Sequence, residues 1–296
     1  MKKNSLKNNL SVFTVSVWVV ICLWAVIFLF MLGWGIVQSF KDVAGFWFDP
    51  VGFPKKEYGG WQFSNYTMLW QKFRVKTSAG WVYLPEMLMN TLIYCIFYGL
   101  LSLIGPIVTS YIYTKYSKRV KWAKIVWVLV LINMYVPLSA SLSSSIELSM
   151  RLGYYNNIWL FAICSLYGFG GCFLIYYAVW KGLSWDYAEA AFIDGAGHFR
   201  VFISIMLPMT GTVFGVLFIT AVIGNWSDYT TPMIYLPSYP TLALGVFRLQ
   251  TSVEQGMTGV PVKLAGLLVC ALPMFILFMA FREKIMTSLT IGGLKG

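Results

Sequence analysis

The chain has 296 residues, 58% hydrophobic, 18% aromatic and only 11% charged, with a mean hydropathy of +0.70 and a net charge of +11. Too few polar groups remain to coat a soluble globule, so composition excludes a water-soluble domain and points to an integral membrane protein. Nucleic-acid binding is not indicated by the positive charge, because no basic stripe lies on a soluble face and few aromatics sit near the basic clusters.

A spanning helix needs about 20 apolar residues to cross roughly 30 Å of hydrocarbon. Uncharged runs of that order lie at 12–37, 87–114, 125–146, 152–180, 201–227 and 264–281, which predicts six transmembrane helices and an all-α, polytopic membrane fold. Barrel strands would read as short alternating segments, whereas these runs are long and apolar all round. Residues 1–11 form an N-terminal segment whose Lys2, Lys3 and Lys7 precede the first run as they would in a signal peptide. That run is too long for a signal peptide, and Met31–Gly35 has no small-x-small cleavage pattern, so it is read as a retained span one over 12–37.

Next comes a long connection, 38–86, expected outside the cytoplasm. Its Trp47, Phe48, Trp61, Trp70 and Trp81 either anchor short helices at the membrane interface or face an external partner. Lys115, Lys118, Arg119, Lys121 and Lys124 crowd the link between spans two and three. The tail 282–296 is basic as well, with Arg282, Lys284 and Lys295. By the positive-inside rule these segments are cytoplasmic, so both termini and the link 181–208 between spans four and five lie inside. Spans two to six, 87–281, form the core. The five cysteines, Cys22, Cys95, Cys164, Cys172 and Cys270, fall within spans without paired or metal-like spacing and read as packing residues.

The link 181–208 has a helical logic. Asp186 stands three residues before Glu189, a capping-box spacing that predicts a helix from about Tyr187, and Gly195 is placed to end it in a left-handed conformation. A second helix from His198 to Met206 carries Phe199, Phe202, Ile203 and Leu207 at helical spacing, with Pro208 in the first turn of span five. Ala190 and Ala191 have almost no side-chain bulk, so the first helix could lie close against another protein; a capped turn without a partner is the alternative.

Glu189-Ala190-Ala191, three residues, Gly195, nine residues, then Ile205-x-Leu207-Pro208 resembles the signature of permease subunits of binding-protein-dependent ATP-binding cassette (ABC) importers. Asn90-Thr91-Leu92, Ile193-Asp194-Gly195-Ala196, Asn225-Trp226-Ser227-Asp228 and Gly292-Gly293-Leu294-Lys295-Gly296 extend the likeness toward the carbohydrate-uptake branch typified by the maltose importer. The tail departs from that branch's pattern at Ser288 and Leu294. The resemblance implies a six-helix type I permease forming half of a pore in a bacterial-type plasma membrane. Its partners would be a second related permease, two copies of a cytoplasmic ATPase and an extracytoplasmic solute-binding protein. It further implies that the hairpin is a coupling helix seated in the ATPase, with Glu189 as polar contact, Ala190 and Ala191 as close-approach surface, Asp194 and Gly195 at the bend, and Ile205, Leu207 and Pro208 leading into span five. Lys295 and Gly296 would reach the same ATPase.

No Gly-x-x-x-x-Gly-Lys phosphate loop occurs, so ATP and Mg would bind the partner and this chain is not expected to be an enzyme or to hold a cofactor or metal. His198, the only histidine, has no Ser, Cys or second carboxylate spaced to join it in catalysis. Asn225, Trp226, Asp228 and Tyr229 suit sugar hydroxyls and rings as pathway contacts, or else cap and anchor a helix end. Asn133, with Asn90 and the serines at 139, 141 and 143–145, either lines a hydrophilic path or packs helices. Pro232, Pro237 and Pro240 predict an outer loop or re-entrant segment after Asp228. Amino-acid or peptide import is the nearest alternative cargo. A stand-alone secondary transporter is the rival class, disfavoured because no ionisable residue lies mid-span.

Overall fold

The computed structural model describes residues 12–117, 123–135, 142–167, 171–251 and 259–291. The chain divides into two compact units, one comprising Met1–Gln71 and Ser252–Val269, the other Lys72–Thr251 and Cys270–Gly296.

In the first unit, α1 (Val12–Ser39) is a 28-residue helix whose side chains face outward almost throughout, as expected of an element apolar on every side and solvated by lipid. A short turn leads to α2 (Val43–Phe48), N-capped by Asp42, whose carboxylate accepts the Ala44 N–H at 3.2 Å. Buried Asn65, on α3 (Ser64–Lys72), clamps that turn by donating to Ser39 O at 2.8 Å and Lys41 O at 2.9 Å. Around it, Phe40 packs on Trp61, Phe63 and Tyr66.

The second unit opens with an antiparallel hairpin, β1 (Arg74–Thr77) and β2 (Gly80–Tyr83), in the register Arg74↔Tyr83, Val75↔Val82, Lys76↔Trp81, Thr77↔Gly80. It is a departure from the all-α expectation. Val75 turns inward and is buried, while the Arg74 guanidinium lies 4.3 Å from the Trp81 ring centroid. Next, α4 (Leu84–Tyr116) runs unbroken for 33 residues and contains the expected second span. The Tyr83 N–H donates to Glu86 Oε2 at 3.2 Å at its start. Gly105 lies against the backbone carbonyls of Leu166 and Tyr167, so a Cβ there would meet Leu166 O at 2.7 Å and the helices could not approach so closely.

The runs expected as spans three and four come out as shorter helices. These are α5 (Ala123–Tyr135), α6 (Leu142–Arg151), α7 (Ile158–Cys164) and α8 (Gly171–Gly182). Between α6 and α7 the cause is local: Gly153 has φ of +77°, Asn156 has φ of +57°, and Asn157 caps α7 by accepting the Trp159 and Leu160 N–H groups. The run expected as span five is also broken. His198–Met209 (α10) and Gly211–Ser227 (α11) meet at 73°, with Thr210 between them, its N–H and Oγ1 both turned back onto Leu207 O. Just before Pro208, whose missing N–H removes a ladder bond, the helix widens by one residue over Phe202–Met206. After α11 the chain forms α12 (Thr230–Tyr235) and α13 (Leu242–Thr251). α13 is packed rather than loop-like, with Leu242, Leu244 and Leu249 buried and Leu242 N–H donating to Thr91 Oγ1 at 2.7 Å. The last helix, α14, covers Val260–Ile291.

Among the described residues three helices are long and apolar enough to cross a membrane, Phe13–Ser39, Leu84–Tyr116 and Val260–Arg282, or four if the bent pair counts as one span. The chain is a helical membrane protein.

Candidate functional site

The link between α8 and the bent pair folds as a compact helical hairpin. Its first arm is α9 (Asp186–Ile193). The helix begins one residue earlier than the capping-box spacing predicts. Asp186 lies inside the first turn rather than capping it, and its N–H donates to Ser184 Oγ at 3.2 Å. Asp186 and Glu189 then place two carboxylates in the first turn, where the helix dipole favours them. The other end closes with paired bonds, Gly195 N–H to Phe192 O at 3.0 Å and Ala196 N–H to Ala191 O at 2.9 Å, and Gly195 takes φ of +82°. These bonds satisfy carbonyls that the helix end leaves open, and the positive φ explains why glycine stands there.

The hairpin sits on a core of its own. Ala188 and Ala191 are buried with Leu103, Ile107 and Tyr111 of α4, Tyr176 and Trp180 of α8, and Val201 and Met206 of α10. Trp180 Nε1 donates to Ser110 Oγ at 3.1 Å, so the fully buried indole has its polar atom satisfied. At the rim, Tyr116 OH and His198 Nδ1 are 2.9 Å apart, and Lys115 Nζ donates to Leu183 O at 2.7 Å. The rings of Tyr116, Trp185, Phe192 and His198 pack edge to face or tilted around that bond, with centroids 4.7–6.0 Å apart.

This seat divides the predicted site residues. Ala191 faces inward at 8% exposure, which corrects its expected place on an outer close-approach surface: helical spacing from Ala188 turns it toward α4 and α8. Glu189, Ala190, Asp194 and Gly195 are exposed. With them stand Tyr187, Ile193 at 85% and Phe199 at 76% exposure, an apolar crown on a polar rim. Ile205 and Leu207 pack partly buried against the seat, and Pro208 is exposed beside the 73° bend. Lys295 and Gly296 lie outside the described residues, as do Ser139 and Ser141.

The second predicted group is only partly brought together. Asp228 Oδ1 accepts the N–H groups of Thr230 and Thr231, capping α12, and Oδ2 accepts the Tyr94 hydroxyl at 3.0 Å. Trp226 is buried and donates to Cys270 O, while Tyr229 stacks on Phe247 at 4.3 Å. These three serve the chain's own packing. Asn225 Nδ2 is buried without a hydrogen-bond partner among the described residues, and Asn133 is exposed on α5, apart from the others in sequence and element. Among the described residues no three His, Cys, Asp or Glu side chains are placed to hold a metal ion.

The seat residues Lys115, Tyr116, Trp180, Trp185 and His198 were not read from the sequence as a unit, since they come from three helices and one link. The available signal was the aromatic density on both sides of the hairpin.

Comparison with known proteins adds to this geometry. No protein-family model matches the chain. It is 30% identical over 213 residues to the maltodextrin transport system permease protein MdxG of Bacillus subtilis (strain 168), covering 70% of this chain and 74% of that protein. It is 29% identical over 240 residues to the arabinooligosaccharides transport system permease protein AraQ of the same strain, covering 79% of each. A solved structure, that of a bacterial ABC transporter involved in the import of the acidic polysaccharide alginate, superposes with a TM-score of 0.73 at 17% identity, over 95% of this chain and 99% of that one, which shows a shared fold. On a shared helical membrane fold and on identity sustained across most of these relatives, the chain belongs to the permease subunits of sugar and oligosaccharide ABC importers.

Proposed function

We propose that the chain carries a sugar or oligosaccharide inward as one half of a translocation pathway, driven by a separate ATPase that grips the α9–α10 hairpin. The observation that carries this reading is the exposed crown of Tyr187, Glu189, Ala190, Ile193 and Phe199 on a seat with its own buried core. Large apolar side chains left facing water at that density mark a docking surface. Because Ala188 and Ala191 of α9 are buried against α4, and the chain on either side of α9 is tied to the end of α4 by Lys115 to Leu183 O and Tyr116 to His198, a push on the crown moves the long helix with it.

The remaining parts follow from the family. Six spans with both termini in the cytoplasm, a second related permease, two ATPase copies that bind ATP and Mg, and an extracytoplasmic binding protein complete the importer. Relatives named for maltodextrin and arabinooligosaccharide transport favour a carbohydrate cargo over amino acids or peptides. Glu189→Arg and Ile193→Asp are expected to leave membrane insertion unchanged, since both side chains are exposed, with Glu189→Arg losing only about 0.3–1 kcal/mol of helix-dipole interaction, yet to abolish uptake and release the ATPase on purification. Wild-type uptake by both variants in proteoliposomes would remove the hairpin from the coupling path.

A further inference from the structure

The apolar stretch Phe13–Ser39 of α1 has 27 residues. At 1.5 Å per residue it is about 40 Å long, roughly 10 Å more than the hydrocarbon it crosses, so its last turns reach the headgroup region. The following chain folds back beside those turns. Trp34 Nε1 donates to Pro50 O at 2.7 Å, and Gln38 Nε2 donates to Gly52 O at 3.3 Å. Trp34 lies about 7.5 Å down the axis from Ser39, so the turn 49–53 is held level with the end of the span and not above it.

The end of α2 and the turn that follows it are sorted by polarity. Trp47, Phe48, Val51 and Phe53 are 72%, 73%, 68% and 69% exposed. The polar groups are gathered into a lock: Lys41 Nζ donates to Asp49 O, Asp49 Oδ1 accepts the Gly52 N–H at 2.8 Å, and Asp49 Oδ2 pairs with Lys55 Nζ at 3.0 Å. The Gly52 N–H first, and Lys55 next, hold the Asp49 carboxyl down to about 2, so the lock stays charged at neutral pH.

We propose that this turn is a lipid anchor: Trp47, Phe48, Val51 and Phe53 insert into the headgroup–acyl boundary of the leaflet that the C-terminal end of α1 reaches. Lys55 and Lys56 stay at the level of the lipid phosphates. Phospholipid is the occupant because the patch continues, within a few residues and at the same depth, the lipid-exposed surface of α1, and because aromatic side chains favour that boundary. The inference stands independently of the importer reading.

The test uses the full chain, with its cysteines intact, in phosphatidylethanolamine–phosphatidylglycerol vesicles. An environment-sensitive fluorescent amino acid replaces Phe48, Phe53 or Glu57 in turn by codon suppression, and quenching by brominated lipid is compared with quenching by aqueous iodide. Positions 48 and 53 are expected to be quenched several-fold more by lipid than position 57, and shielded from iodide. Equal iodide access at all three positions overturns the proposal. Shielding at 48 and 53 that appears only on adding an extracytoplasmic binding protein also overturns it, because the patch would then belong to a protein partner.

Discussion

Gly195 shows how much one residue decides at the hairpin. Its φ of +82° is open to glycine and strained for a residue with a Cβ, and both bonds that close α9 depend on that reversal. Gly195→Ala is expected to cost about 1–2 kcal/mol. It should lower the thermal midpoint of the purified chain, whereas Gly195→Asn should lose less because asparagine tolerates the left-handed region. Equal loss in both variants would show that space, not backbone conformation, sets the cost. Among the described residues, its chain neighbours aside, no atom lies within 4 Å of where a Cβ at Gly195 would stand, so the conformational cause is the one expected.

The elements explain why two adjacent alanines have different fates. α9 lays Ala188 and Ala191 on the seat and turns Glu189 and Ala190 outward, so small side chains are needed on one face for packing and on the other for access. Ala191→Leu should overpack the seat, at about 1–3 kcal/mol, and lift the hairpin from α4. Ala190→Leu should leave the melting curve of the chain unchanged and weaken co-purification of the ATPase. Paired thermal unfolding and pull-down measurements separate the two, and a stability loss at Ala190 would contradict the outward assignment. The 73° bend at Thr210 belongs to this scale too, since it turns the second arm of the hairpin away from the axis of α11.

For the whole molecule, sidedness is the property that joins these parts. If the crown meets a cytosolic ATPase, Phe199→Cys in a chain whose five native cysteines are replaced should resist a membrane-impermeant thiol reagent in intact cells, and after permeabilisation should react faster when the ATPase is absent than when it is present. Labelling from outside would place the hairpin on the wrong face. The helical membrane class was legible in the sequence, because apolar length answers directly to the thickness of the bilayer, whereas α14 covers Val260–Ile291 and so extends past the expected 264–281 at both ends. Gly195 as the end of α9 was legible as well, since turn chemistry is local. The breaks at Gly153–Asn157 and Thr210 were not, because an uncharged run scores alike whether its helix is continuous or kinked. The hairpin β1–β2 leaves a weak sequence signal, an alternation of only four residues in Arg74–Thr77 and a turn at Gly80, which is too short to stand out inside a long connection. That Ala191 faces in while Ala190 faces out, that Asp228 takes the Tyr94 hydroxyl besides the local cap that was one of its two sequence readings, and that Lys115, Tyr116 and His198 meet, were decided by tertiary packing alone. Those facts depend on which side each helix turns toward its neighbours, and composition and spacing along one chain do not carry that information.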